Sequence, residues 1–143
     1  MKKNKEITLV TSFFDIGRKD YGDYARSNKK YLDDFKFWAR MKNNLVVYTD
    51  KQMAKEVKKI RKEFGLEEKT KIIIIEDITK LEPEIFSRMK EIENSDYFLS
   101  YRYKEVTPEN KALYNYVMLI KSWCIADAVK QGVDTEFLAW IDF

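Results

Sequence analysis

Polar side chains that could bind a phosphate group or a metal ion follow three runs of β-branched and apolar residues. Thr11 and Ser12 come at the end of the first run, Asp50 directly follows the second, and Asp142 directly follows the last. Arg18 lies a few residues beyond the first run. Carboxylates are the ligands that Mg²⁺ and Mn²⁺ prefer, and arginine can bind phosphate through two hydrogen bonds. If the three runs end at one edge of a sheet, these residues predict a site for a nucleoside diphosphate.

The amino-acid composition excludes several other kinds of chemistry within this chain. Its 143 residues include no histidine and a single cysteine, Cys124. Histidine-dependent triads, thiolate metal clusters and a disulfide framework are therefore excluded, and a metal ligand or general base has to be a carboxylate. Cys124 falls on the apolar stripe of a predicted helix, so we interpret it as core packing. The four glycines form neither a Walker loop nor a dinucleotide-binding motif.

Charge and hydropathy predict a cytoplasmic protein that does not bind nucleic acid. Lys and Arg outnumber Asp and Glu by 27 to 24, and the net charge is +3. Met1–Lys5 is basic but is not followed by the apolar segment of a signal peptide. The longest apolar block, Ile72–Ile75, is far shorter than the roughly 20 residues of a membrane span. We expect no transmembrane segment, and peripheral association with the inner membrane is compatible with this pattern.

The hydrophobic patterns predict alternating strands and helices in the order β-α-β-α-β-α-α-β. The strands are predicted at Ile7–Thr11, Leu45–Tyr48, Ile72–Ile75 and Phe137–Ile141. Four successive apolar residues in the third strand predict burial on both of its faces. The fold class is therefore α/β, an open and mostly parallel sheet flanked by helices, and residues 1–143 have the size of one domain.

The helix predictions depend on capping residues and on apolar stripes. Ser27 and Asp50 are predicted to cap the first two helices, Pro83 to begin the third, and Thr107-Pro108-Glu109 to open the longest. Gly65 and Gly132 are predicted to end the second and the last helix. We interpret the basic residues of the second helix as a solvated outer face; they are Lys58, Lys59, Arg61 and Lys62. Residues 94–106 are predicted to be irregular or a short extra strand.

The position of the last strand suggests a longer protein. The chain stops at Phe143, two residues after that strand, and ligands of open α/β sheets bind beyond the carboxyl ends of the strands. We therefore expect this chain to be the N-terminal, nucleotide-binding part of a longer protein, with the acceptor-binding residues after Phe143.

Four segments of the chain resemble the HtrL/YibB family, which includes WlaTC-like proteins. They are Thr11–Arg18, Val47–Asp50, Tyr114-Asn115 with Lys121, and Ala139–Phe143, in the order in which the family has them. The family consists of bacterial proteins that are encoded among surface-polysaccharide genes and regarded as glycosyltransferases of the GT-A type. The resemblance implies a GT-A-like fold and transfer of a hexose from a nucleotide sugar to a lipopolysaccharide or lipooligosaccharide acceptor.

The resemblance also implies roles for individual residues. The segment Thr11-Ser12-Phe13-Phe14 would cradle the nucleoside, with Arg18 beside it, and Asp50 would lie against the base. Asn115 and Lys121 would face the phosphate or the sugar of the donor. Asp142 would take the place of the acidic motif that binds Mn²⁺ or Mg²⁺ in GT-A enzymes. The second aspartate of that motif corresponds to position 144, where the family tends to have glycine. No residue stands out as the catalytic base.

Other functions and plainer roles are open from the residues alone. A non-catalytic nucleotide-binding or scaffold module would have the same sheet. A phosphotransferase or phosphatase would need a nucleophilic aspartate after the first strand, where Asp15 is the candidate, but position 17 is glycine in place of a second aspartate. Asp50 could be only a helix cap, and Lys121 only a solvated helix residue. Three tyrosines could form a sugar-stacking wall or a hydrophobic flap; they are Tyr97, Tyr101 and Tyr103.

Overall fold

Strands and helices alternate along the part of the chain that the structure describes. The computed structural model describes residues 4–102 and 107–143. The strands are β1 (Asn4–Phe13), β2 (Leu45–Thr49), β3 (Thr70–Ile74) and β4 (Thr135–Trp140). The α-helices are α1 (Asn28–Trp38), α2 (Lys51–Glu63), α3 (Pro83–Glu93), α4 (Asp96–Tyr101) and α5 (Ala112–Lys130). This order confirms the predicted α/β class.

All the strand pairs of the sheet are parallel, and the spatial order is β3-β2-β1-β4. The chain first moves outward from β1 through β2 to β3, and it then returns to place β4 on the other side of β1. Helices α1 and α2 pack on one face of the sheet, and α3 and α5 pack on the other. The change of direction makes the crevice between β1 and β4 the topological switch point, where ligands of open α/β sheets bind.

Each face of β1 contributes to a different hydrophobic core. Leu9 packs with Phe35 and Val57 beneath α1 and α2, whereas Val10 packs with Ile120 of α5. Because side chains alternate along a strand, Thr11 faces the α1–α2 side and the next residue faces α5.

The predicted helix caps are confirmed. The hydroxyl of Ser27 accepts a hydrogen bond from the backbone N–H of Lys30, and the carboxylate of Asp50 accepts one from that of Met53. The residue Gly65 follows α2 in the left-handed region, at φ 69°, which glycine adopts without steric cost. These residues therefore fix where the helices around the sheet begin and end.

Three predictions about individual elements are wrong. Strand β3 is an edge strand, so its residues are only partly buried, and Ile74 is 49 % exposed. Residues 96–101 form α4, because the Ser95 hydroxyl caps this helix at the N–H of Phe98; residues 103–106, including Tyr103, lie outside the described residues. The proline of Thr107-Pro108-Glu109 opens a short 3₁₀ turn, and α5 begins only at Ala112.

Arg61 is fully buried, so its predicted place on the solvated face of α2 is wrong. Its guanidinium donates hydrogen bonds to the carbonyls of Ala39, Met41 and Asn43 at 2.7, 2.8 and 3.0 Å, and to the hydroxyl of Thr70 at 2.8 Å. The planar fork of donors explains why arginine can be buried here. Burial lowers the pKa of Arg61 from its ordinary value. The other three basic residues of that prediction are exposed.

Helix α5 crosses the sheet behind β1. Its buried residues recur every four positions and are Ala112, Tyr116, Ile120, Cys124 and Ala128. The hydroxyl of Tyr116 donates to the carbonyl of Ile78 at 2.6 Å and accepts from the N–H of Glu82 at 3.0 Å, which fixes α5 against the residues that precede α3. Within residues 4–102 and 107–143, no helix has the length and apolar character needed to cross a bilayer.

Candidate functional site

A cavity of about 230 Å³ opens at the carboxyl ends of β1 and β4, at the topological switch point of the sheet. Its walls come from the segment after β1, the start of α1, the first half of α5 and the residues after β4. The lining residues are Ser12, Phe13, Phe14, Asp15, Ile16, Arg18, Arg26, Asn28, Tyr31, Tyr114, Val117, Met118, Lys121, Asp142 and Phe143. Six of the predicted site residues are among them: Ser12, Phe13, Phe14, Arg18, Lys121 and Asp142.

Stacked aromatic rings form one wall of the cavity. The ring of Phe13 lies 4.8 Å from that of Tyr31 and 4.8 Å from that of Phe143, and the Phe13 and Phe143 planes differ by 20°. Phe143 also stacks on Phe35 of the α1–α2 core at 4.6 Å. Because Phe13 and Phe35 are both buried, this wall is anchored in the core and offers a rigid apolar surface to a ligand.

Arg18 is held between two tyrosine rings and keeps an unused donor. Its guanidinium carbon lies 5.2 Å from the ring centroids of both Tyr21 and Tyr114, and its Nη2 donates to the carbonyl of Tyr24 at 2.9 Å. Its Nε is buried and has no hydrogen-bond partner among the described residues. A buried donor without an acceptor is costly and uncommon in proteins. Arg18 lines the cavity, where an arginine side chain can bind an anionic oxygen of a ligand.

Asp15 organises the loop after β1. Its Oδ1 accepts from the N–H of Gly17 and its Oδ2 from the side-chain amide of Asn28, both at 2.9 Å. These bonds, that of Asn28 first, lower the pKa of the Asp15 carboxyl. Both oxygens are thus hydrogen-bonded within the loop, which is a poor arrangement for a nucleophile. Asp15 forms no ion pair with Arg18 among the described residues.

Lys121 and Asp142 form an ion pair in the lining of the cavity. The Nζ of Lys121 donates to the Oδ1 of Asp142 at 2.7 Å, and the indole N–H of Trp140 donates to the same oxygen at 2.8 Å. The Lys121 ammonium lies 5.7 Å from the Trp140 ring centroid. The hydrogen bond from Lys121, followed by that from Trp140, lowers the pKa of the Asp142 carboxyl. Asp142 is therefore ionised at neutral pH and oriented by two donors.

The cavity carries a net positive charge. Arg18, Arg26 and Lys121 line it together with two carboxylates, Asp15 and Asp142. Lys121 is paired with Asp142, whereas neither arginine forms an ion pair with any residue that the structure describes. Cations without counter-charges in a concave, partly apolar site attract anionic ligands. The electrostatics and the aromatic wall together suit a molecule that has both an anionic and a flat apolar part.

The described side chains do not form a cation site of their own. Residues 4–102 and 107–143 contain no group of three or more cysteine or carboxylate side chains placed to hold a metal ion. Asp142 offers one carboxylate, and its Oδ1 already accepts two hydrogen bonds. Mg²⁺ sites often combine one or two carboxylates with phosphate oxygens of the ligand. The metal role of Asp142 therefore stays a prediction that needs ligands from outside the described chain.

Three predicted residues lie outside the cavity lining. Thr11 faces the α1–α2 core, where its hydroxyl is buried without a partner among the described residues. Asp50 caps α2, and its Oδ2 lies 3.5 Å from the backbone nitrogen of Asp15. Asn115 donates to the carbonyls of Glu109 and Lys111 and so supports the start of α5. Their predicted contacts with a ligand stay predictions.

Several lining residues were not singled out from the sequence as site residues. Tyr114, Met118 and Lys121 are separated by four and three residues on α5, which places them on one helix face. That spacing could have extended the prediction of Lys121 to its neighbours. Arg26 and Tyr31 carry no such signal, because their position depends on how the loop after β1 folds back toward α1.

The fold and the site together define an α/β protein with a cationic, aromatic cavity at the switch point of a parallel sheet. Residues 5–143 match the family described as bacterial protein of unknown function (HtrL_YibB). The chain therefore belongs to the HtrL/YibB family, which confirms the resemblance predicted from its motifs.

One curated relative is Protein HtrL of Escherichia coli (strain K12), which is 29 % identical over 148 residues. The alignment covers 95 % of this chain and 50 % of the relative, so the chain spans about half the length of the curated relative it matches. No solved structure matches the chain significantly.

Proposed function

We propose that the intact protein is a glycosyltransferase that transfers a hexose from a nucleotide sugar to a lipopolysaccharide or lipooligosaccharide acceptor. This chain is the donor-binding part of a GT-A-like domain. The observation that carries the proposal is the Arg18 guanidinium, which lies beside two tyrosine rings without an ion-pair partner among the described residues, in a cavity that also has an aromatic wall. A nucleoside diphosphate offers both an oxygen acceptor for this donor and a flat base for the wall.

The charges in the cavity match the anionic part of such a donor. Arg18 and Arg26 have no carboxylate partner among the described residues, and Lys121 shares Asp142 with the Trp140 indole. A diphosphate would accept hydrogen bonds from the guanidinium groups and would compete with Asp142 for the Lys121 ammonium. The aromatic wall of Phe13, Tyr31 and Phe143 would pack against the nucleoside.

The proposed reaction breaks the bond between the anomeric carbon and a diphosphate oxygen. The acceptor hydroxyl oxygen forms the new bond to that carbon, its proton passes to a base, and the bond electrons leave with the diphosphate. Negative charge therefore grows on the diphosphate in the transition state, where fixed cations stabilise it most. The base and the acceptor-binding residues belong to a segment corresponding to the unmatched half of HtrL. A divalent ion at Asp142, Mn²⁺ or Mg²⁺, would add Lewis-acid stabilisation when bound.

Calorimetric titration with nucleoside diphosphates tests donor binding. We expect UDP or a related diphosphate to bind, and Arg18→Ala to weaken binding about tenfold or more, because it removes a charged donor to phosphate. Lys19→Ala is the matched control, since Lys19 is an exposed neighbour outside the cavity lining. An equal loss of affinity for the nucleoside diphosphate in the two variants would count against the proposed site.

A non-catalytic nucleotide-binding or scaffold module is the second candidate. It would use the same cationic, aromatic cavity to bind a nucleotide without transferring a sugar. Calorimetric titration of the unmodified chain and of Asp142→Ala with UDP and Mn²⁺ tests whether Asp142 binds the metal ion. Equal affinity in both proteins would remove Asp142 from the metal role. Turnover of a nucleotide sugar by the intact protein would support the transferase, and tight binding without turnover would support the module.

A further inference from the structure

The two faces of the sheet carry opposite charges. Residues 28–64, which include α1 and α2, contain eleven Lys and Arg but only five Asp and Glu. Residues 76–101, which include α3 and α4, contain three Lys and Arg and seven Asp and Glu. The net charge of +3 thus conceals a basic α1–α2 face and an acidic α3–α4 segment on the other face. Such asymmetry indicates a surface with an anionic partner.

Exposed apolar side chains lie on the basic face, where α1 and α2 end. Phe37 is 77 % exposed, Met41 is 41 % exposed and Phe64 is 40 % exposed. The guanidinium carbon of Arg40 lies 5.9 Å from the ring centroids of both Phe37 and Phe64, and it therefore joins the two helix ends into one cluster. We call these four residues the Phe37–Phe64 cluster. A cluster of exposed apolar side chains next to charged residues can mark an interaction site.

A row of lysines lies on the outward side of α2. Lys55, Lys59 and Lys62 are separated by four and three residues, so they share one side of the helix. All three are exposed, and none forms an ion pair with a described residue, whereas Lys58 pairs with Glu67. The opposite side of α2 is buried against the sheet. The row is therefore free to contact a partner.

We propose that the α1–α2 face docks onto an anionic phospholipid surface. The ring of Phe37, on the outward side of α1, enters the headgroup region, and the lysine row on the outward side of α2 contacts lipid phosphates. Exposed rings combined with outward lysines are the composition of helices that lie in a membrane interface. A nucleic acid would use the same charges, but the exposed apolar side chains of Phe37 and Met41 favour lipid. The inference does not depend on the proposed function, because the cavity lining includes none of these residues.

Sedimentation with lipid vesicles tests the proposal on the full chain. The vesicles are phosphatidylcholine alone, or phosphatidylcholine mixed with phosphatidylglycerol. We expect binding only to the mixed vesicles, and less of it at high salt. The triple variant Lys55→Ala, Lys59→Ala and Lys62→Ala should bind roughly 100-fold more weakly, since each lysine near an anionic surface contributes about a factor of five. Phe37→Ala should also weaken binding.

Matched controls lie on the opposite face of the sheet. Arg88→Ala with Lys90→Ala removes two positive charges from α3, and Tyr97→Ala removes an exposed ring from α4. We expect these variants to bind mixed vesicles like the unmodified chain, and circular dichroism to show that every variant is folded. The proposal is overturned if mixed vesicles do not bind the chain, if the lysine and α3 variants lose binding equally, or if single-stranded RNA displaces the vesicles while Phe37→Ala has no effect.

Discussion

The ammonium of Lys121, on α5, lies 2.7 Å from the carboxylate of Asp142, which follows β4. This ion pair connects the helix behind β1 to the strand beside β1, at the switch point where the cavity opens. Asp142 is 74 % exposed at its side chain, whereas Lys121 is 24 % exposed, so the lysine is the better fixed partner. A diphosphate that entered the cavity would therefore meet a cation held in place by the protein.

The first prediction concerns the ionisation of Asp142. Lys121→Met should raise the pKa of the Asp142 carboxyl toward its ordinary value, because the main hydrogen bond that lowers it is lost. A carboxyl whose pKa is lower in the folded state than in the unfolded state stabilises the fold at a pH above its ordinary pKa. The contribution of Asp142 is therefore present at neutral pH, and it is lost as the pH falls through the pKa of the folded state. A carbon-13 NMR titration of the aspartate carboxyls measures the change. Lys130→Met, at the far end of α5, should leave the Asp142 pKa unaltered; an equal shift in both variants would contradict the assignment.

The second prediction concerns the buried arginine. Arg61→Ala should lower the free energy of unfolding by about 3 kcal/mol or more, because three backbone carbonyls and a hydroxyl lose their donor. Urea unfolding followed by tryptophan fluorescence measures it. Lys62→Ala, the exposed neighbour, should change the free energy by less than about 0.5 kcal/mol. If the two variants were equally stable, the Arg61 hydrogen bonds would not contribute as the structure indicates.

The third prediction separates two roles of Asp50. Asp50→Ala should cost about 1 kcal/mol of stability through the lost cap of α2, and Asp50→Asn should retain most of it. If Asp50 also contacts the base, as the family resemblance implies, Asp50→Asn should weaken nucleotide binding while stability stays the same. Thermal unfolding of the two variants measures their stability, and calorimetric titration measures their affinity for the nucleotide. Full stability in Asp50→Ala would argue against the cap.

The fourth prediction concerns the lone cysteine. Burial raises the pKa of the Cys124 thiol to about 12, so the reactive thiolate is scarce at neutral pH. We expect no reaction with a disulfide reagent in the native protein and complete reaction in urea. Rapid labelling of the native protein would show that α5 opens readily, in disagreement with the packing of Cys124 in the core.

Much of the fold follows from local sequence signals. Ser27 and Asp50 stand directly before helical stripes, and both cap a helix as predicted. The short β-branched runs form parallel strands because helices separate them. The exposure of β3 could not be predicted this way, since an apolar run gives no information about whether a neighbouring strand covers its outer edge.

Arg61 is a buried residue within a run of basic residues that are otherwise exposed. It stands among lysines, yet it lies four residues after Val57, on the side of α2 that packs on the sheet. Helical spacing alone could have revealed this. The acceptors could not be predicted, because the carbonyls of Ala39, Met41 and Asn43 converge on it only when the connection between α1 and β2 is folded.

The sequence predicted the lining residues whose position depends on strand direction. It missed the lining residues whose position depends on how a loop folds. Ser12 and Asp142 lie at the carboxyl ends of parallel strands and reach one cavity. Thr11 faces the other side because side chains alternate along β1, which strand periodicity could have excluded. Arg26 and Tyr31 join the site through the way the loop after β1 folds back toward α1, and no short sequence pattern encodes those contacts.

An NMR titration of the nitrogen-15-labelled chain with UDP tests most directly whether the cavity at the carboxyl ends of β1 and β4 binds a nucleoside diphosphate. We expect the amide signals at the end of β1 and around Arg18 to shift, together with those of Tyr114 and Lys121. We expect Arg18→Ala to reduce these shifts at equal ligand concentration. Shifts confined to the amino-end of the sheet, around Lys69 and Gln131, or no shifts with any nucleoside diphosphate, would contradict this expectation.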